Sequence, residues 1–194
     1  MEAGRPTIDL GDVDIRRMRP FQATRADLRD RVGATLGLGP CGLLAVDTLR
    51  LEKGFRHAGH AMGREDTALE AGLGFACALD KPGGFIGRAA LLRQRDQGRL
   101  RRRLVQLALG PDAPPLHRDE PIRRDGRIVG RVTSGGQGHG LDHPVGLGDV
   151  GTERGVDAVF LDTGRGAIES ADRCWPATAS LRAPYHPIHS RMRG

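Results

Sequence analysis

Hydrophobic residues recur at helical spacing in the first half of the chain and alternate over short runs in the second half. Residues 40–54 predict one short helix, because Gly54 can adopt the left-handed C′ conformation that ends a helix. Ala45, Leu49 and Glu52 are spaced i, i+4 and i+7, so we expect Glu52 to lie in line with an apolar stripe. A carboxylate in that position is either held by neighbouring donors or faces a cavity.

Two further helices and one early strand are predicted before the alternating region. Residues 24–36 predict an amphipathic helix, and residues 88–97 predict another that ends at a glycine. Leu73, Phe75 and Cys77 alternate with small or polar positions, which is typical of one face of a strand.

Short apolar runs separated by Gly and Asp dominate the second half of the chain. Asp125-Gly126 between two such runs predicts a β-hairpin, since this pair supplies the positive φ values of a type I′ turn. Five or six strands at this spacing predict a small antiparallel β-barrel, so the fold class is α+β. The predicted strands cover residues 103–109, 121–124, 127–133, 145–150, 157–161 and 175–181.

Composition restricts the partners that the chain can have. The 194 residues suffice for one ordinary domain or two small ones, and a net charge of +6 permits an anionic partner such as nucleic acid or a polycarboxylate. The basic residues are mostly Arg, which a high-GC genome also produces, so charge alone is a weak functional signal. Only 4% of residues are aromatic, which disfavours RNA binding by base stacking.

The cysteines and the apolar stretches indicate the compartment. Cys41, Cys77 and Cys174 lie far apart without paired spacing, so we expect reduced thiols. We expect Cys41 to be a small buried hydrophobe rather than a catalytic thiol, because its turn offers no base. No apolar stretch reaches the ~18 residues of a membrane span and no signal-peptide pattern is visible, so we expect a soluble, cytoplasmic protein without a membrane partner.

Two other motifs give weak signals for a metal or a phosphate. His57 and His60, with His139 and His143, are spaced too loosely for a zinc site, and no cysteine lies near them in sequence. The glycine-rich residues 135–140 follow a strand, but neither a helix pattern nor a Lys-Ser/Thr pair follows them. We therefore expect no metal and no phosphate loop.

Several motifs together resemble one family. Residues 45–60 resemble the Leu-Arg-x-Glu segment of the folate-dependent aminomethyltransferases, which include the T-protein of the glycine cleavage system. The Glu-Lys-Gly-aromatic-Arg run at 52–56 is most similar to the folate-binding half of dimethylglycine and sarcosine dehydrogenases. Residues 132–136 resemble the family's Thr-Ser-Gly turn, and residues 183–187 resemble its tail, with His186 in place of an acid.

The resemblance implies a domain division. Residues 40–98 would form the end of the folate-binding domain, and residues 99–194 would form the C-terminal β-barrel. Residues 1–39 resemble the closing segment of an FAD-dependent oxidoreductase half, and we expect no FAD site in this chain. The chain is then similar to an internally deleted relative that lacks the first part of the folate-binding domain.

The resemblance also implies two ligand-binding residues. Glu52 would hydrogen-bond the pterin ring of tetrahydrofolate, and Arg102 would bind the carboxylate tail of the folate. The alternatives from the residues alone are that Glu52 accepts N–H groups or pairs with Arg50 or Arg56, and that Arg102 is a solvated edge charge. The family's catalytic Asp has no match in this chain.

Two functions follow from the resemblance. The first is tetrahydrofolate-dependent transfer of a one-carbon group, linked to glycine, dimethylglycine or sarcosine catabolism, by a chain that is inactive unless another subunit completes the site. The second is a non-catalytic barrel module that docks on a partner flavoprotein oxidoreductase. Self-association is a further way to complete the site.

Overall fold

The computed structural model describes residues 33–37, 39 and 41–185. The chain divides into two compact units, Met1–Leu43 and Leu44–Gly194. The described part of the first unit contains a 3-10 turn, Ala34–Leu36, at the end of the helix predicted for residues 24–36. The rest of that prediction, and the extended segment before it, lie outside the described residues, as does His186.

Helices lie before and within a region of six strands. The helices are α1 (Leu43–Glu52), α2 (Arg88–Asp96) and α3 (Ala158–Asp162), and a second 3-10 turn covers Gly74–Ala76. The strands are β1 (Arg102–Leu109), β2 (Pro121–Arg124), β3 (Arg127–Gly138), β4 (His143–Gly151), β5 (Gly166–Ser170) and β6 (Arg173–Ser180).

The six strands form the predicted antiparallel barrel. Their order is β1-β4-β3-β2-β5-β6, and β1 closes the barrel by pairing with β6. Asp125 and Gly126 join β2 to β3 with φ values of 51° and 79°, so the predicted hairpin and its turn are confirmed. An α+β fold with a small closed barrel is therefore what this sequence forms.

Two of the predicted strands are wrong. The strand expected at 157–161 is the helix α3, because Asp157 caps it: its Oδ1 accepts the N–H of Phe160 at 2.8 Å. The sixth strand is β5, which the sequence pattern did not indicate. The strand expected from the alternation of Leu73, Phe75 and Cys77 is a 3-10 turn that follows Gly72 at a φ of 69°, and it leaves Phe75 85% exposed.

The end of α1 is as predicted, but its buried face is not. Gly54 has a φ of 66°, and the N–H of Phe55 bonds the carbonyl of Arg50 at 2.8 Å, as in a Schellman motif. The expected stripe through Ala45 and Leu49 is exposed. Instead, the whole last turn, residues 50–52, is buried, because the helix inserts its carboxyl end rather than laying one side against the barrel.

Strand β1 separates two hydrophobic cores. Val105, Leu107 and Leu109 point into the barrel, whereas Leu104 packs outside it with Leu51 of α1. The barrel core also contains Leu116, Ile122, Val132, Val150, Val156 and Ile168, and the outer core contains Ala61, Val145 and Leu147. The outer core fixes the carboxyl end of α1 to β1 and β4, which positions the residues expected to bind a ligand.

A glycine in β3 tests the packing of the barrel. A Cβ at Gly135 would lie 2.7 Å from the carbonyl oxygen of Leu116, which is main chain and cannot rotate away. We expect Gly135→Ala to lower the free energy of unfolding by about 1–3 kcal/mol, measured by urea denaturation. Gly151→Ala is the matched control, because its Cβ would make an ordinary contact at 3.6 Å. An equal loss of stability in both variants would contradict the packing described here.

Candidate functional site

Glu52 is the last residue of α1, and its side chain is only 2% exposed. Its Oε1 accepts the N–H groups of Gly140 and Leu141, in the turn between β3 and β4, at 2.5 and 3.2 Å. Hydrogen bonds to a carboxylate are charge-assisted and therefore stronger than neutral ones. A Cβ at Gly140 would lie 2.9 Å from Oε2, so the approach of the turn depends on this glycine. Glu52 is thus an acceptor of backbone N–H groups.

Two neighbouring arginines, Arg50 and Arg56, bond groups other than the Glu52 carboxylate. Arg50 is buried, and its guanidinium bonds the Asp47 carboxylate at 2.7 Å and the hydroxyl of Ser134 in β3. Arg56 donates to the carbonyls of Ala71 and Gly54 at 2.9 and 2.8 Å, and burial lowers the pKa of its guanidinium. The two arginines therefore fix the entry to and exit from the end of α1.

The second oxygen of Glu52 is chemically distinct from the first. Within the described part of the chain, Oε2 accepts no hydrogen bond, whereas Oε1 accepts two. A carboxylate with one oxygen held by main-chain donors keeps acceptor capacity on the other. Glu52 is nearly fully buried, and the N–H of Tyr185 bonds its main-chain carbonyl at 3.3 Å.

Arg102 lies at the start of β1 and is held by an acidic loop. Its Nη2 donates to Oδ1 of Asp66 at 2.5 Å and to the carbonyl of Glu65 at 3.1 Å, and Glu70 lies 3.9 Å away. The Asp66 side chain is 7% exposed and that of Arg102 is 36% exposed, so the pair is partly shielded from water. Glu52 and Arg102 have no hydrogen-bond partner in common among the described residues.

A polar cavity of about 40 Å³ beside this loop was not predicted from the sequence. It lies between residues 59–66 and the outer faces of β3 and β4, where Asp149 and Arg131 line it. Burial, followed by the charge of Asp66, raises the pKa of Asp149, although Arg102 and Arg131 act in the opposite direction. The sequence feature that could have indicated this cavity is Asp149, an acidic residue within the otherwise apolar run of β4.

The histidine, glycine-rich and cysteine motifs singled out in the sequence lie in ordinary structural elements or on the surface. The rings of His57 and His60 stack with centroids 4.5 Å apart, and residues 135–138 belong to β3 and lead into a turn. Among the residues that the structure describes, no three His, Cys, Asp or Glu side chains are grouped to hold a metal ion. Cys77 and Cys174 are unpaired, and so is Cys41, which is exposed; the expectation that Cys41 is buried is wrong.

The helices of the described part are all too short or too polar to cross a membrane.

Because the pKa of Asp149 is raised, we expect this residue to affect how the free energy of unfolding changes with pH. A carboxyl group whose pKa is higher in the folded than in the unfolded chain destabilises the fold above that pKa, and the loss is recovered as the pH falls towards about 3.9. We therefore expect Asp149→Asn to raise the free energy of unfolding at pH 7, by about 1 kcal/mol or less because the group is only half-buried. Thermal denaturation of both proteins between pH 7 and pH 4 should show the difference shrinking with acid.

The control for this measurement is Asp112→Asn, which changes an exposed carboxylate in the loop between β1 and β2. It should leave stability unchanged over the same range. An Asp149→Asn protein that is less stable than wild type at pH 7 would show that the attraction of the Arg102 and Arg131 charges outweighs burial.

Comparisons with known proteins identify two domains. The family model for the GCVT N-terminal domain matches residues 26–81, and that for the glycine cleavage T-protein C-terminal barrel domain matches residues 102–185. The crystal structure of the glycine cleavage system aminomethyltransferase T from Bartonella henselae superposes with a TM-score of 0.69 at 24% identity. The superposition covers 83% of this chain and 43% of the Bartonella henselae chain, and it shows that the two proteins share a fold.

Relatives with established names agree with the two domains. A 4-methylaminobutanoate oxidase (formaldehyde-forming) of Paenarthrobacter nicotinovorans is 40% identical over 84% of this chain, and human mitochondrial sarcosine dehydrogenase is 38% identical over the same share. An aminomethyltransferase of Synechocystis is 47% identical over 60% of this chain. The chain spans only 19%, 18% and 31% of these three relatives, respectively. The family models, the relatives and the shared fold agree, and the chain belongs to the aminomethyltransferase (glycine cleavage T-protein) family.

Proposed function

We propose that the chain binds tetrahydrofolate and takes part in one-carbon transfer linked to the catabolism of glycine, sarcosine or dimethylglycine in the cytoplasm. The observation that carries the proposal is the Glu52 carboxylate, which has one oxygen held by the 140–141 turn and the other without a hydrogen bond in the described region. An oxygen held in this way suits the N–H groups of an aminopyrimidinone edge. Aminomethyltransferase relatives and the two family domains support the assignment.

Of the two residues that we propose to bind tetrahydrofolate, Glu52 fits the ligand better than Arg102 does. Glu52 supplies a fixed acceptor for the pterin, because main-chain donors orient its carboxylate without neutralising it. Arg102 is our proposed partner for the carboxylate tail, but Asp66 already occupies its guanidinium, so the ligand must replace Asp66 or share the fork. When bound, tetrahydrofolate supplies the nitrogen atoms that accept the one-carbon unit, and this chain orients the cofactor and shields one side of it from water.

A second polypeptide is part of the proposal. The chain spans 31% of the aminomethyltransferase relative. The resemblance assigns none of its residues to the acidic group that the family reaction needs. We propose that residues 40–98 contribute the end of the folate-binding domain and residues 99–194 its barrel, and that another subunit or a second copy completes the enclosure. Without that enclosure, water enters and the orientation of the reactants is lost.

The binding claim is tested by titration calorimetry with 5-formyl-tetrahydrofolate, a stable analogue. Glu52→Gln keeps an amide oxygen for the N–H groups of Gly140 and Leu141 but removes the charge, so we expect binding to weaken about tenfold or more. Arg102→Gln should weaken binding of the carboxylate tail by a similar factor. Each titration should be paired with a thermal melt, so that a loss of binding is separated from a loss of fold.

The matched controls are Glu153→Gln and Arg101→Gln, whose side chains are exposed and pair with each other. Both should bind like wild type. A wild-type protein that binds no analogue at about 1 mM, or two site variants that bind as tightly as the controls, would contradict the proposal.

One observation favours a second function, a non-catalytic docking module. The first four residues of α1, 43–46, form a half-helix that is apolar on all sides and unusually exposed: Leu44 is 82% and Val46 is 52% accessible. A helix that is apolar on every side is normally enclosed by other protein. A flavoprotein oxidoreductase subunit that covers this half-helix is the partner that the sarcosine dehydrogenase relative suggests.

The docking function is tested by co-purification with a sarcosine dehydrogenase-type flavoprotein that lacks its own folate-binding half. Leu44→Glu and Val46→Glu should each abolish the complex, because either would bury an unpaired carboxylate. Val159→Glu, an exposed apolar position on α3, is the control and should leave the complex intact. A complex that survives both α1 substitutions would place the contact elsewhere.

A further inference from the structure

Three arginines converge on one groove on the side of β1 away from Arg102. The groove has a volume of about 370 Å³ and is lined by Arg95 at the end of α2, Arg99 in the loop that follows, and Arg103 in β1. Leu69, Leu100 and Val156 supply its apolar walls. Its size is that of a site for a small molecule rather than a protein segment.

Arg103 is the innermost of the three cations. Its Nε is buried and has no hydrogen-bond partner in the part of the chain that the structure describes. Burial lowers the pKa of this guanidinium, and the charge of Asp157 only partly opposes the effect. Leaving a donor of a charged group buried and unpaired costs free energy, and an anion in the groove that binds the rest of this guanidinium would offset part of that cost.

The other two arginines are accessible to a ligand. The Arg95 and Arg99 side chains are 52% and 69% exposed; Arg95 pairs with Asp96 at 3.3 Å and Arg99 pairs with Asp157 at 3.2 Å. Exposed ion pairs of this kind contribute little stability and exchange readily for another anion. Among the residues that the structure describes, Asp157 is the one acidic residue that lines the groove, so the net charge of this lining is positive.

We propose that this groove is a binding site for a small multivalent anion, a polycarboxylate or a polyphosphate, recognised by Arg95, Arg99 and Arg103. Guanidinium groups bind both anions bidentately, and three of them around one groove favour a ligand with several charges. Arg102 and Arg103 are successive residues of a strand and point to opposite faces of the sheet. The site is therefore separate from the one proposed for folate, and either can exist without the other.

The experiment is calorimetric titration of the full chain with citrate in one arm and pyrophosphate in the other, at low ionic strength. We expect binding of at least one probe that weakens about tenfold in Arg103→Gln and in the double variant Arg95→Gln/Arg99→Gln. The double variant changes only exposed side chains, so it answers the question even if Arg103→Gln fails to fold. The probe that binds more tightly identifies the ligand as a carboxylate or a phosphate.

One variant should act in the opposite direction. Asp157→Asn can still cap α3 but removes the competing charge, so we expect it to tighten binding severalfold, which a merely destabilised protein would not do. The control is Arg127→Gln, an exposed arginine in β3 at the hairpin with β2, which should bind as wild type does. No binding of either probe at about 10 mM, or equal weakening in Arg127→Gln, would overturn the proposal.

Discussion

The burial of one carboxylate fixes how the carboxyl end of α1 meets the barrel. Glu52 is taken out of water, and among the described residues its side chain makes no ion pair; its charge is compensated by the N–H groups of Gly140 and Leu141. Such compensation works only if the turn between β3 and β4 is held in place, because removing a partner from a buried charge is strongly destabilising. Three features keep the turn close to Glu52: the short β3–β4 connection, the glycine at 140 and the Schellman end of α1.

A second set of charges joins the polar loop, residues 59–66, to the barrel. Arg102 bonds Asp66 and the carbonyl of Glu65, while Asp149 remains half-buried beside them with a raised pKa. The arrangement shares two cations, Arg102 and Arg131, among several carboxylates. This loop is a structural clamp rather than a preformed ligand site. The folate tail that we propose at Arg102 would therefore compete with Asp66.

The barrel was readable from the sequence because its signals are local. Alternation in β1 and β4 and the Asp125-Gly126 turn depend only on neighbouring residues, and they specify both register and turn type. The run at 157–161 is a helix rather than the expected strand because four apolar residues, 158–161, fit a strand or a helical turn equally, and the capping bond to Asp157 decides between them. The partners of Glu52 and Arg102 lie 88 and 36 residues away in sequence, respectively, and no periodic pattern reports such contacts.

The most direct test of this account observes the turn itself. Two-dimensional NMR of ¹⁵N-labelled protein, titrated with 5-formyl-tetrahydrofolate, follows the amide resonances of Gly140 and Leu141 as the ligand is added. If the pterin donates to the second oxygen of Glu52, both resonances shift in a saturable manner and Glu52→Gln abolishes the shifts. Binding that leaves both amides unmoved would place the ligand elsewhere and would contradict the role assigned to Glu52.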